Sequence, residues 1–286
     1  MTVRNLDEIN QLLAEAEEAL AKLNSRRTEL LKQITELKQE KALHEQTTPP
    51  QSAALSSITN QSSQEAKINL FRSLFRGRED VYPKRFESLK TGKTGYQPVC
   101  RNEWVSGICE KPRIRCEKCG HREFLPITED VVRNHLLGMN PHDRPGRDFT
   151  IGVYSMLPDE TCWFLAVDFD KASWQEDTKA FLETCRHFDI PAALERSRSG
   201  NGGHIWFFFS EPVPATLARK MGAFLLTQTM EQRPEIGLDS YDRFFPSQDT
   251  LPKGGFGNLI ALPLQKKPRE NGNSLFLDEN LVVVKR

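Results

Sequence analysis

No run in this chain approaches the ~18 apolar residues needed to cross a bilayer. Residues 1–20 are charged and amphipathic, without the apolar centre of a signal peptide. Membrane spanning and secretion are set aside, and a cytoplasmic protein is expected. Net charge is lacking too. With 39 Lys+Arg facing 39 Asp+Glu, a histone-like binder is excluded and any nucleic-acid role needs a local basic surface. Apolar residues are also sparse, at 38% of the chain against ~45–50% in a compact globular protein. Part of the sequence therefore contributes little to a packed core, although 286 residues suffice for one large or two modest domains.

The shortfall lies at the N-terminus. Leu6, Leu13, Leu20, Arg27, Ile34 and Lys41 fall at one heptad position, and Ile9, Ala16, Leu23, Leu30, Leu37 and His44 at the other. About five heptads predict a coiled-coil helix over 1–46 that self-associates or recruits a partner, the other reading being one long helix folded back on its own domain. Arg27 is the polar break that fixes register. Residues 47–66, rich in Ser, Thr, Gln and Pro, read as a flexible linker. Residues 67–286 form the remaining domain, and its first part is the most basic stretch: Lys67 to Asp130 carries fourteen Lys+Arg and nine Asp+Glu.

Six cysteines are too few and too clustered for a disulfide framework, and a reducing compartment suits them better. Cys100, Cys109, Cys116 and Cys119 form a C-x8-C-x6-C-x2-C pattern. The tight Cys116–Cys119 turn lets two thiolates approach one ion, and tetrahedral Zn2+ takes four such ligands. A structural zinc knuckle over about 98–124 is expected, with His121 able to replace one sulfur. The surrounding Arg101, Lys111, Arg113, Arg115, Lys118 and Arg122 suit phosphate contact or a solvated loop equally. Cys162 and Cys185 read as buried thiols.

A catalytic core is expected over about 148–284. The segment Trp163 to Asp170, WFLAVDFD, is an apolar strand ending in two carboxylates. Alternation puts Asp168 and Asp170 on one face. Like charges so close call for cations, and hard oxygen ligands suit Mg2+ or Mn2+. A second strand leads into Ser197-Arg198-Ser199-Gly200-Asn201-Gly202-Gly203-His204 and a third, IWFFF. Ser197, Ser199, Arg198 and the backbone around Gly200 and Gly202 suit a phosphate cradle, and His204, sharing a face with Trp206 and Phe208, can reach a triphosphate oxygen. The turn lacks the GKS/T ending of a P-loop ATPase. A further acidic segment, Leu238-Asp239-Ser240-Tyr241-Asp242, offers a third carboxylate from Asp242 or Asp239, with Asp249 a weaker source. Helices are predicted over Trp174 to His187 and Ala215 to Met230, packed on one face of mixed or antiparallel strands in an α+β fold.

The order of these segments resembles the three motifs of the archaeo-eukaryotic primase superfamily. NEWVSGICEKP, CEKCGHREF, IGVY, FLAVDFDK, LERSRSGNGGHIWFFF, SYDRFFPSQD and GGFGNLIALPLQ look closest to the primase domain of TOTE conflict systems, in which such a domain accompanies a helicase. The resemblance spans about Leu70 to Leu281. It implies an RRM-like primase-polymerase core with a zinc knuckle, with Asp168 and Asp170 in the first motif, Ser199 and His204 in the second, and Asp242 in the third. The implied activity is DNA-template-dependent nucleotidyl transfer from nucleoside triphosphates onto a strand paired with single-stranded DNA, with Mg2+ or Mn2+ as catalytic ions. No helicase motif follows Arg286, so a truncated or stand-alone version is expected, served by a helicase in cis or in trans. Two rivals are a catalytically inactive nucleic-acid-binding replication-initiation or scaffold module and a metal-dependent nuclease. The nuclease is disfavoured because Glu195 is followed by Arg-Ser rather than x-Lys.

Overall fold

The computed structural model describes residues 6–47, 58–88, 91–141, 148–235 and 237–284. Of the stretch read as a linker, 48–57 lies outside the described residues. The chain divides into two units, Met1–Ser57 and Ile58–Arg286. The described residues of the first form one helix, α1 (Leu6–Thr47), with Asp7 and Glu8 in its first turn, where carboxylates favour the positive end of the helix dipole. It contains neither Gly nor Pro, and Pro49 and Pro50 follow it. Leu12, Leu13, Leu20 and Leu23 are exposed along it.

The second unit begins with α2 (Gln64–Leu74), whose first turn is drawn from the Ser/Gln-rich stretch. Ser63 caps it by accepting the Ala66 N–H at 3.1 Å. Ile68, Phe71 and Phe75 bury one side of this segment. A hairpin of β1 (Pro83–Glu87) and β2 (Thr94–Pro98) follows. Next comes α3 (Glu129–Leu137), capped by Thr128 and closed by left-handed Gly138.

The remaining elements are β3 (Gly152–Tyr154), β4 (Thr161–Asp170), α4 (Trp174–His187), β5 (Ala193–Arg196), β6 (Gly202–Pro214), α5 (Ala215–Gln232), β7 (Tyr241–Phe245), β8 (Leu259–Ala261), α6 (Lys266–Glu270) and β9 (Leu275–Leu277). Five strands form one sheet in the order β7-β4-β6-β5-β9, antiparallel at every pairing. From β4 to β7 the chain runs β-α-β-β-α-β with spatial order 4-1-3-2, the split β-α-β arrangement of RRM-like folds.

A bulge between Cys162 and Phe164 sets the register of the central strand. Beyond it Leu165, Val167 and Phe169 face one way and pack with Phe181, Cys185, Ala218 and Leu225 of α4 and α5. Phe164 and Ala166 face the other way, with Trp206 and Phe245, against Phe71 and Phe75, Val132 of α3, Ile151 just before β3, and Ile260 of β8. Phe75 meets Trp206 edge-on with ring centroids 4.9 Å apart. Each such buried side chain contributes about 1.5–3 kcal/mol. Cys162 and Cys185 are buried, and burial pushes both thiols up to about 12. No helix among the described residues is long and apolar enough to cross a membrane.

His135 ties α3 to the sheet-covering layer. It is fully buried. One ring nitrogen, Nε2, lies 2.9 Å from the Pro263 carbonyl and so donates, while Nδ1 accepts the Ile151 N–H at 3.2 Å. Neither nitrogen has room for a second proton. Burial holds the imidazole down to about 4, the Pro263 carbonyl and Asp148 opposing that only in part. A depressed folded-state value means that the stabilisation is complete above the ordinary value near 6.5 and is lost as pH falls toward 4. The protein is expected to lose roughly 2–3 kcal/mol through this residue between about pH 7 and about pH 4.5. Urea denaturation at both pH values checks it: the difference should shrink in His135→Gln, and an equal difference in both proteins would refute the assignment.

Candidate active site

The acidic end of β4 lies on the sheet face opposite α4 and α5, beyond the apolar side chains that cover the rest of that face. Asp168 pairs with His204 of β6 on one side and with Arg243 of β7 on the other. Between Asp168 and Phe169 the β7 register shifts, so Asp242 is an extra residue opposite that step. Such a bulge re-aims a side chain, and here it brings Asp242 to the same place as Asp168 and Asp170. Ligand oxygens of the three carboxylates all lie within 4.8 Å of one another.

Backbone and glycine geometry support this convergence. The Asp170 N–H donates to the Ser240 carbonyl at 2.7 Å. Ser240 is in turn held by Asp177 of α4, which accepts the Ser240 N–H at 3.1 Å and its hydroxyl. A Cβ at Gly202 would sit 2.5 Å from Asp170 Oδ1 and 2.6 Å from the Phe169 carbonyl oxygen. Only a residue without a side chain fits there.

Burial pushes the Asp168 carboxyl up to about 6; His204 opposes this, while Asp170 and Asp242 add to it. Asp168 Oδ1 is buried with no hydrogen-bond partner, and its nearest cationic group is His204 Nε2 at 3.5 Å. Three clustered carboxylates with one orphaned buried oxygen fit a divalent cation with a preference for oxygen ligands. Asp242 also receives Arg243 Nε at 2.6 Å. Asp239 contributes its backbone carbonyl to Lys171 Nζ at 3.0 Å and is not part of the cluster, and Asp249 pairs with Arg219.

The β5-β6 turn stands beside the triad. The Ser197 N–H donates to the Gly202 carbonyl at 2.9 Å, and Gly200 takes φ +82°. Ser197 and Ser199 hydroxyls lie 3.1 Å apart, and Ser199 Oγ accepts the Asn201 N–H. Arg198 leaves the turn sideways: it contacts Asp148 Oδ2 at 3.2 Å, Thr150 Oγ1 at 3.4 Å and the Gln265 side chain. Arg196 donates to the carbonyls of Gly272 and Leu281, so its guanidinium braces the C-terminal segment.

One residue that the sequence reading did not assign to the site is Glu195. It is 1% exposed, and β5-β6 register sets it opposite His204. Its Oε2 lies 3.0 Å from His204 Nδ1 and accepts the Trp206 Nε1–H at 3.0 Å, while Oε1 accepts the Ser274 hydroxyl at 3.3 Å. Burial alone would lower the His204 imidazole, but the carboxylates of Glu195, Asp168 and Asp170 outweigh it and raise it to about 9. His204 is thus a cation fixed between a buried carboxylate and the triad. The only prior signal was a Glu nine residues before a His across a hairpin.

The four clustered cysteines line one small cavity of about 20 Å³ with Lys111 and His121. Cys100 Sγ accepts the Glu123 N–H at 3.3 Å. Burial raises the Cys116 thiol, with Lys111 opposing. Among the described residues, no three of these sulfurs converge as closely as the carboxylates do.

A family model of the TOTE conflict system archaeo-eukaryotic primase domain matches residues 66–286. No curated protein matches the chain. Among solved structures, the polymerase domain from Mycobacterium tuberculosis Ligase D in complex with DNA is similar at a TM-score of 0.37 and 9% identity, over 70% of this chain and 75% of that one.

Proposed function

The chain belongs to the archaeo-eukaryotic primase domain family of TOTE conflict systems, and on that premise we propose that it is a DNA-template-dependent primase-polymerase. It joins nucleoside triphosphates by two-metal nucleotidyl transfer. The observation that carries this reading is the convergence of Asp168, Asp170 and Asp242 beside a Ser/Gly turn and a cationic His204.

Asp168, Asp170 and Asp242 would hold the Mg2+ or Mn2+ ions. When bound, such ions lower the pKa of the attacking hydroxyl and neutralise charge on the α-phosphate and departing pyrophosphate. The protein's own groups bind and orient. His204, held by Glu195, contacts the triphosphate as a charge-assisted donor rather than as a general base. Ser197 and Ser199 offer hydroxyl donors, and the backbone at Gly200 and Gly202 admits close phosphate approach. Arg198 shares its charge between Asp148 and the nucleotide. The hydroxyl oxygen of the growing strand, or of an initiating nucleotide, bonds to the α-phosphorus as the bond to pyrophosphate breaks. A helicase in cis or in trans would supply the single-stranded template.

The test is incorporation of labelled nucleotides on single-stranded DNA with Mn2+ or Mg2+, with and without primer. Product whose sequence follows the template is expected. Template binding without product in every arm would leave a binding module instead, and template degradation would make the protein a nuclease.

We also propose that Cys100, Cys109, Cys116 and Cys119 bind a structural Zn2+, supported by their shared cavity and four-thiol composition. Elemental analysis should find about one zinc per chain, lost in the Cys116→Ser/Cys119→Ser double variant. Chelation should lower the melting temperature, because bound metal contributes folding free energy. Stoichiometric zinc persisting in the double variant would refute this ligand set.

A further inference from the structure

We propose that α1 pairs with α1 of a second copy of this chain as an antiparallel two-stranded coiled coil centred between Ala21 and Lys22. The helix is continuous over Leu6–Thr47, and on its seam Leu13, Leu20 and Leu23 stand 56%, 59% and 67% exposed, with Leu12 alongside at 45%. A solvated stripe of this kind is the face that a coiled-coil partner covers.

Two features of the sequence choose the partner and its direction. The first is charge. Between Leu6 and Ala21 stand Asp7, Glu8, Glu15, Glu17 and Glu18 without a single Lys or Arg. Between Lys22 and Leu37 stand Lys22, Arg26, Arg27 and Lys32 against only Glu29 and Glu36. A parallel partner would lay the acidic half on an acidic half. An antiparallel copy lays it on the basic half, twice by symmetry. This is a long-range preference of the two halves, since of these charges only Glu17 and Arg26 flank the seam, Arg27 lies on it and the others face away from it.

The second feature is the fit of the seam. In an antiparallel pair each residue at one heptad position layers against a residue at the other. Centring the pair between Ala21 and Lys22 opposes Leu6 with Leu37, Ile9 with Ile34, Leu13 with Leu30, and Leu20 with Leu23 of the other copy. The two irregular seam residues then meet each other. Arg27, too long and polar for a Leu layer, falls opposite Ala16, the one seam residue small enough to leave room for its stem while its head reaches the water. Glu15, Glu17 and Glu18 flank that alanine. Lys41 and His44 lie past the last apolar layer and overhang it. In a parallel in-register pair, Arg27 would meet Arg27, Lys41 would meet Lys41, and Ala16 would face Ala16 across an underfilled layer. The parallel pair therefore concentrates the mismatches that the antiparallel register removes.

The inference is independent of the proposed catalysis, since α1 holds none of the proposed site residues. Light scattering on the full chain should give a mass of two chains. Orientation is read by disulfide trapping, with the wild-type protein as background for its native cysteines. Leu6→Cys/Leu37→Cys should form a covalent dimer under mild oxidation, as should an equimolar mixture of the two single variants, and neither single variant alone should do so. Leu20→Glu, in the central layers, should shift the mass to one chain while leaving the circular-dichroism signature of the second unit in place. A monomeric wild-type mass, a trimer or larger assembly, covalent dimer from Leu6→Cys alone, or a dimer that the double variant fails to trap would each overturn the proposal.

Discussion

Asp168→Ala and Asp170→Ala are each expected to cut nucleotide incorporation by at least about a thousandfold, equivalent to roughly 4 kcal/mol of transition-state stabilisation, while thermal stability in metal-free buffer is unchanged or raised. The two outcomes have one origin. Asp168 is largely buried, with an unpartnered Oδ1 and two carboxylate neighbours, so its charge is unfavourable unless a cation is bound. Alanine removes that charge and, with it, a ligand for the proposed cations. A merely structural carboxylate would show the opposite pattern, because deleting it would lower stability first. Asp242→Ala should follow the same course, since the β7 bulge sets its oxygen among the other two. Asp239→Ala should cost little, because only the backbone carbonyl of that residue is engaged, with Lys171. Incorporation assays beside calorimetry on all four variants check the ranking. Full activity in Asp168→Ala and Asp170→Ala would remove the polymerase reading, and a larger loss in Asp239→Ala than in Asp242→Ala would move the third ligand.

What made the carboxylate strand legible is locality. Alternation along WFLAVDFD places Asp168 and Asp170 together whatever the sheet order, and the apolar spacing of Phe181 and Cys185, or of Leu217, Met221 and Leu225, is enough for α4 and α5. The same logic put His204 on a face with Trp206. Composition misled where a cap did the work of starting a helix: Ser63 sits among linker-like residues, yet its hydroxyl begins α2 and thereby buries Ile68 and Phe71. Register was the other blind spot. Nothing in Leu238-Asp239-Ser240-Tyr241-Asp242 announces which aspartate a β-bulge will turn toward β4. Arg198 lies 50 residues from Asp148 and 67 from Gln265, so its anchoring depends on a layer that no local pattern encodes. The arm shows the converse, since its heptads are readable one by one while the partner proposed for them lies outside a single chain's sequence pattern.

Glu195 marks where burial and chemistry meet, and its replacement should separate them. Glu195→Ala leaves the Trp206 indole N–H and the Ser274 hydroxyl without their acceptor and the buried His204 imidazole without its anchor. Removing one partner from a buried, hydrogen-bonded charge costs about 3–5 kcal/mol, and each stranded neutral donor adds about 1–3 kcal/mol less whatever the site relaxes. A loss of at least about 3 kcal/mol is therefore expected in chemical denaturation. Glu195→Gln keeps one carbonyl oxygen, which can still accept from Trp206, so most of that stability should return. It cannot return the ring of His204 to its present state. An amide oxygen at the Oε2 position can still face both Trp206 and His204 Nδ1, with the NH2 turned to the Ser274 hydroxyl, but it carries no charge, so Nδ1 no longer has an anionic acceptor. The folded Gln variant should then bind nucleoside triphosphate more weakly by roughly tenfold, the loss of one charge-assisted hydrogen bond, with single-stranded template affinity nearly unchanged. Titrating nucleotide and template separately distinguishes the roles: restored stability with restored nucleotide affinity would make Glu195 a core residue alone, whereas restored stability with weakened nucleotide binding makes it the residue that positions His204.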